Sequence, residues 1–167
     1  MSNTGIKKAC FSGNFTQTTD SIFYGRNKKC DALKESLKGA IIELVEKEGV
    51  NYFISGMNKG IDMMGAEIVL ELKSKYPELE LECALPYETL ASDWSERLRD
   101  RYFGTIERSD KEVLLQTRYT DGCMDRLNKY LNDESDFAIT VCGGKIEIKR
   151  NCELRKVITH DVKTSNF

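Results

Sequence analysis

Residues 53–67 read Phe-Ile-Ser-Gly-Met-Asn-Lys-Gly-Ile-Asp-Met-Met-Gly-Ala-Glu. An apolar strand runs into Ser55-Gly56, the chain turns through Met57-Asn58-Lys59, and a helix opens at Gly60. Glycine permits a tight turn and a close backbone approach, and a helix N-terminus offers free N–H groups with a partial positive charge. This is the physical description of a site for a phosphate or carboxylate. Asp62, in the first helical turn, could accept from ribose hydroxyls or simply complement the helix dipole. A strand–Gly–x–x–x–Gly–helix differs from the P-loop and from the common dinucleotide fingerprint. Taken alone, it is equally well a turn that needs glycine for its own geometry.

Working outward, the same alternation repeats along the chain. Lys8–Ser12 reads as a strand ending at Gly13, and residues 14–30 as a long polar loop. From Asp31 to Glu48, Leu33, Leu37, Ile41 and Leu44 fall at helical spacing. Asn51–Ser55 is the second strand. The helix from Gly60 is expected to run to Tyr76, with Pro77 stopping it. Leu79–Leu85 is a third strand, ended by Pro86. A helix with Ser92 as its N-cap follows, carrying Trp94, Leu98 and Tyr102 on one face. Lys111–Leu115, a short helix over Gly122–Asn132, and the strand Phe137–Cys142 complete the series. Strands alternating with helices predict an α/β fold, an open, doubly wound and mainly parallel sheet with helices on both faces. Ligands bind such sheets at the carboxyl ends of the strands. That places Ser12-Gly13-Asn14, Ser55-Gly56-Met57, Pro86-Tyr87-Glu88, Thr120–Cys123 and Gly143-Gly144 on one rim.

Composition narrows the classes. A chain of 167 residues suits one domain, and 25 basic against 27 acidic residues leave no basic stripe for nucleic acid. The N-terminus lacks the long apolar stretch of a signal peptide, and no segment is apolar enough to span a bilayer. The six cysteines, Cys10, Cys30, Cys83, Cys123, Cys142 and Cys152, form no CxxC pair. Reduced thiols in a cytoplasm follow, with no membrane partner. His160 is the single histidine, so no metal site and no resident cofactor are expected.

Three stretches carry a family resemblance. FISGMNKGIDMMGAEIVLELKSKYPELELECALPYE resembles the core signature of the YpsA-like branch of the SLOG superfamily, a strand ending in S-G and a helix beginning G-[VI]-D followed by A-E. KKACFSGN resembles the first strand with its G-H-R-like turn. YTDGCMDRLNKYLNDESDFAI resembles a Y-T-x-G-C-M-x-x-R-N-like segment. Together they span roughly residues 7–141. The resemblance implies a Rossmann-like fold and a nucleotide-type ligand, with ADP-ribose-like or cyclic nucleotide signals as the expected class. Carried over, Gly56, Gly60 and Asp62 match the ligand loop, Ser12 and Gly13 the first turn, and Thr120, Gly122, Cys123 and Asn128 the later segment. Tyr87 or Trp94 would either stack on a base or serve as core and wall.

Two departures stand out. The first turn reads Gly13-Asn14-Phe15 and lacks the family's basic side chain, leaving Lys59 or Arg126 to meet an anion, unless both are solvated surface. After the fifth strand the expected G-G-T-like loop and last helix are replaced by Cys142-Gly143-Gly144-Lys145 and a charged tail that would pack as a strand or fray.

These readings favour a binding module, a sensor or sequestering protein for a nucleotide-derived small molecule. A phosphoribohydrolase-like enzyme acting on nucleoside monophosphates would need a P-G-G-x-G-T-x-x-E loop, which the chain lacks, leaving Glu67 or Glu88 as forced candidates for acid–base work. A third class is a protein-interaction regulator, for example of cell division. The resemblance also implies self-association as a homodimer or higher oligomer, since Rossmann-like domains of this superfamily often pair; helices rich in Leu, Met and Tyr would provide the face, unless those residues only fill the core.

Overall fold

The computed structural model describes residues 5–13, 28–142 and 144–150. Along them run β1 (Lys8–Gly13), α1 (Lys28–Glu48), β2 (Tyr52–Ser55), α2 (Ile61–Leu72), β3 (Glu80–Leu85) and α3 (Glu96–Arg108). Then follow β4 (Lys111–Leu114), α4 (Cys123–Glu134), β5 (Phe137–Cys142) and β6 (Lys145–Arg150). The strands form one sheet in the order β4-β3-β2-β1-β5-β6, parallel throughout except for the antiparallel β6. The chain therefore steps outward from β1 to β4 and then returns to the other side of β1. That reversal, between β1 and β5, is the switch point of an open α/β sheet.

Strand side chains alternate between the two faces, and each face builds its own core. Ala9, Phe11, Phe53, Leu81, Cys83, Leu85, Phe137 and Ile139 pack with the apolar sides of α1, α2 and α3. Cys10, Tyr52, Ile54, Ala84 and Ala138 pack under Leu127 and Leu131 of α4. Helices cover both faces as expected, but unequally, three against one among the described residues.

α2 lies at the centre and is buried nearly all round. Its Gly65 sits directly on Phe11: a Cβ there would come within 2.4 Å of the ring. Glycine at this position thus sets how closely the helix approaches β1. On the opposite face Glu82 is a buried carboxylate that accepts hydrogen bonds from Tyr52 (2.6 Å) and Tyr130 (2.8 Å). The two hydroxyls satisfy both oxygens and tie α4 to the middle of the sheet, which makes the burial of the charge tolerable.

Several boundaries differ from the sequence expectation. The first helix begins at Lys28, inside the stretch read as loop, and residues 14–27 lie outside the described residues. α2 ends at Leu72, where the N–H groups of Lys75 and Tyr76 both turn back onto the Leu72 carbonyl. The third helix starts at Glu96, not at Ser92: Ser95 is the N-cap and accepts from the Leu98 N–H at 3.4 Å. Residues 89–94 instead form turns that tuck Leu90, Ala91 and Trp94 into the core. After β5, Gly144 (φ 78°) turns the chain directly back into β6, so the charged tail begins as a strand.

Among the described residues no helix is long and apolar enough to cross a membrane. Cys10, Cys83 and Cys123 are free thiols. Burial pushes Cys10 and Cys83 up to about 12, so both behave as small apolar groups.

Candidate functional site

The carboxyl ends of the parallel strands and the N-termini of α2 and α4 meet along one rim. The β2–α2 turn shows which of the expected residues face inward. Ser55 is fully buried; its Oγ donates to the Asp62 carbonyl at 2.7 Å and accepts from the Met57 N–H at 3.1 Å. Its hydroxyl is thus a clamp that fastens the turn to the helix. Gly56 is closely packed: a Cβ would lie 2.8 Å from Leu127 Cδ2 and 3.3 Å from Asp62 Oδ2, so Leu127 would have to shift to admit one. Met57 holds a left-handed φ of 58° and sends its side chain into the core. These three residues shape the site from behind.

Lys59, Gly60 and Asp62 form its front. Gly60 is the N-cap of α2 at φ 98°, a conformation that favours glycine, and as glycine it brings no capping side chain of its own. Lys59 is half-buried with its ammonium 5.4 Å over the Trp94 ring. Asp62 is only 9% exposed, and its Oδ1 has no hydrogen-bond partner. Burial pushes its carboxyl up to about 7, partly opposed by the backbone N–H of Asn58. A buried polar atom without a partner is uncommon and calls for an explanation; a site waiting for a ligand donor is one.

The other strand ends contribute unevenly. Ser12 at the end of β1 is exposed and lies in register with Thr140 of β5, across the switch point. Thr140 Oγ1 is likewise buried without a partner. Gly13 closes β1, while Asn14 and Gly143 lie outside the described residues, and Gly144 serves the hairpin. Pro86 is buried. Tyr87 is half-buried and meets Tyr119 edge to face, ring centroids 5.3 Å apart. Tyr119 is 60% exposed and presents an open aromatic face at the rim. Trp94 is a wall instead, held edge to face by Tyr102 at 5.3 Å.

In the turn before α4, the Thr120 hydroxyl accepts from Gln116 Nε2 (2.9 Å) and its carbonyl from the Cys123 N–H (3.1 Å). Gly122 caps α4 without a side-chain hydrogen bond and without steric need for glycine, and Cys123 is buried beneath it. Asn128 and Arg126 are exposed on α4. Asn128 stands about 9 Å along the helix from Gly122 at 1.5 Å per residue, away from the rim. Glu67 is engaged by Arg101 in an ion pair, and Glu88 is exposed.

Sequence reading missed three residues. Thr140 was visible as the one hydroxyl in the apolar run of β5, Tyr119 as part of the YTDGC stretch, and Gly65 as the third glycine of the opening motif. Their importance rests on which strand or helix lies opposite, which no local pattern encodes.

An open, mainly parallel sheet with its glycine-opened helix at the carboxyl rim defines a Rossmann-like α/β domain. The YpsA model, described as the YspA SLOG family, matches residues 14–165, and the chain belongs to that family. It is similar to a UPF0398 protein of Ligilactobacillus salivarius, 33% identical over 48% of this chain and 44% of the relative. A UPF0398 protein of Halalkalibacterium halodurans is 29% identical over 69% of this chain and 61% of its own length. For that of Brevibacillus brevis the figures are 29%, 80% and 72%. The chain thus spans less than two thirds of the first two relatives it matches.

Proposed function

We propose that this protein binds a nucleotide-derived small molecule at the carboxyl rim, as a sensor or sequestering protein for an ADP-ribose-like or cyclic nucleotide signal. The observation that carries the reading is Asp62, a buried carboxyl in the first turn of a helix opened by a left-handed glycine, with one oxygen unpartnered. A ribose hydroxyl donating to that oxygen would relieve its burial, while the N-termini of α2 and α4, each opened by a glycine, would take phosphate oxygens. Lys59 supplies a cation beside α2, and Tyr119 an aromatic face for a base. SLOG membership supports a nucleotide-related module. Glu67, held by Arg101, is poorly placed to act as a general acid or base, so the enzyme reading gains no support from this rim.

A thermal-shift series with ADP-ribose, its cyclic isomers, NAD, AMP and cyclic di- and trinucleotides tests this. A ligand at 100 times its dissociation constant stabilises the folded state by about 2.7 kcal/mol, roughly 5–10 °C for a chain of this size. The expected result is a shift with one ligand class that Asp62→Ala or Gly60→Val abolishes. No shift with any of them, or one that both variants retain, overturns the proposal.

A further inference from the structure

β6 pairs with β5 on one side only, so its other edge has no strand neighbour among the described residues. Lys145, Glu147 and Lys149 lie in register with Cys142, Thr140 and Ala138 and stand on the α4 face. Ile146 and Ile148 pair with Val141 and Ile139 and stand on the α1 face, half-buried against its core. A groove of about 820 Å³ runs between this strand and α1, lined by Ser36, Gly39, Ala40 and Glu43 on the helix side. A Cβ at Gly39 would meet nothing within 4 Å. Glycine in a helix interior costs about 1 kcal/mol relative to alanine, and here no neighbouring atom requires it.

We propose that this edge joins a second copy of the chain, β6 against β6, antiparallel about a two-fold axis. The sheet would continue through both chains and the two α1 helices would come side by side. Charge along the strand favours this pairing. Edges protected against pairing carry lysines of one sign, whereas 145–149 reads Lys-Ile-Glu-Ile-Lys, a row complementary to itself. Antiparallel self-pairing centred on Ile146 sets Lys145 opposite Glu147, and centred on Ile148 it sets Glu147 opposite Lys149. In both, isoleucine faces isoleucine across the axis. The registers centred on Lys145, Glu147 or Lys149 set like charges opposite each other. Cross-strand pairs of opposite charge stabilise a sheet and like pairs destabilise it, so the strand favours two-fold pairing centred on one of its two isoleucines. The small side chains of Ser36, Gly39 and Ala40 leave room for neighbouring helices to approach within the usual 8–10 Å.

The test uses the full chain and two charge variants. Sedimentation equilibrium should find the wild type as a dimer. Glu147→Lys makes the row all positive, and Lys145→Glu with Lys149→Glu makes it all negative. Each variant should weaken self-association about tenfold or more. Mixed together, the two should form a heterodimer, which also shows that each remains folded. A monomeric wild type, a dimer that both variants keep, or two monomeric variants that do not combine would each overturn the proposal. Neither variant changes Lys59, Gly60 or Asp62, so the ligand-induced shifts of the proposed function are read separately from the oligomeric state.

Discussion

Asp62→Asn should stabilise the protein at alkaline pH and leave it unchanged at acid pH. Burial favours the neutral acid, so Asp62 in the folded chain keeps its proton up to about pH 7, against an ordinary value of 3.8. Between those values the folded state holds more protons than the unfolded one, and stability falls as pH rises. Below 3.8 both states are neutral and the full contribution is present; above about 7 it is lost. At 1.36 kcal/mol per pH unit this interval amounts to about 4 kcal/mol. D62N keeps an oxygen for the Asn58 N–H and never acquires the charge. Relative to the neutral acid it exchanges one unpartnered donor for another, so the two proteins should match near pH 4. At pH 8.5 the variant should gain as much as about 4 kcal/mol, roughly 8–16 °C in Tm. Urea unfolding of both proteins across this range reads the difference, and titrations elsewhere, such as that of Asp110, cancel in it. A constant gap between the two curves, or a variant less stable than wild type at pH 8.5, refutes the reasoning. The penalty also belongs to function: a ligand hydroxyl that meets Oδ1 as it ionises would bind more tightly as pH rises through about 7.

Three further outcomes follow from packing. Gly65→Ala should cost about 1–3 kcal/mol in chemical denaturation, because its Cβ would press on the Phe11 ring in a core that cannot yield. Gly56→Ala should destabilise through its conflict with Leu127, and Leu127→Ala through the cavity it leaves. In a double-mutant cycle the combined variant should recover about 0.5–3 kcal/mol, whereas strict additivity would place the conflict elsewhere. Glu82→Gln should cost about 1–3 kcal/mol, since the amide nitrogen cannot accept from the second of the two tyrosines; an unchanged urea midpoint would mean the pairing contributes nothing.

Much of the architecture was legible in local pattern. The alternation of short apolar runs with helical stripes placed every strand of the parallel set within a residue at each end, since those runs are bounded by glycine, proline or a polar residue. The end of Leu72 and the start at Glu96 were less legible. Both depend on where surrounding elements need turns: Trp94 is core although it precedes its helix. The candidate site reads from sequence as a place at the strand ends and much less as a set of side chains that face it. Ser12, Lys59, Gly60, Asp62, Tyr87 and Thr120 do line or border the rim. Ser55, Gly56, Met57, Pro86 and Cys123 are buried behind it, and Asn128 points away.

By itself the sequence determined the α/β class, the strand order in time and the family, because each rests on short-range periodicity and motif spacing. Tertiary structure alone decided that three of the described helices share one face, that Gly56 and Gly65 answer to Leu127 and Phe11, and that Asp62 is buried with an oxygen unpartnered. Each of these is a relation between residues far apart in the chain. A glycine or a carboxylate looks the same in sequence whether its neighbour is water or a leucine from another helix.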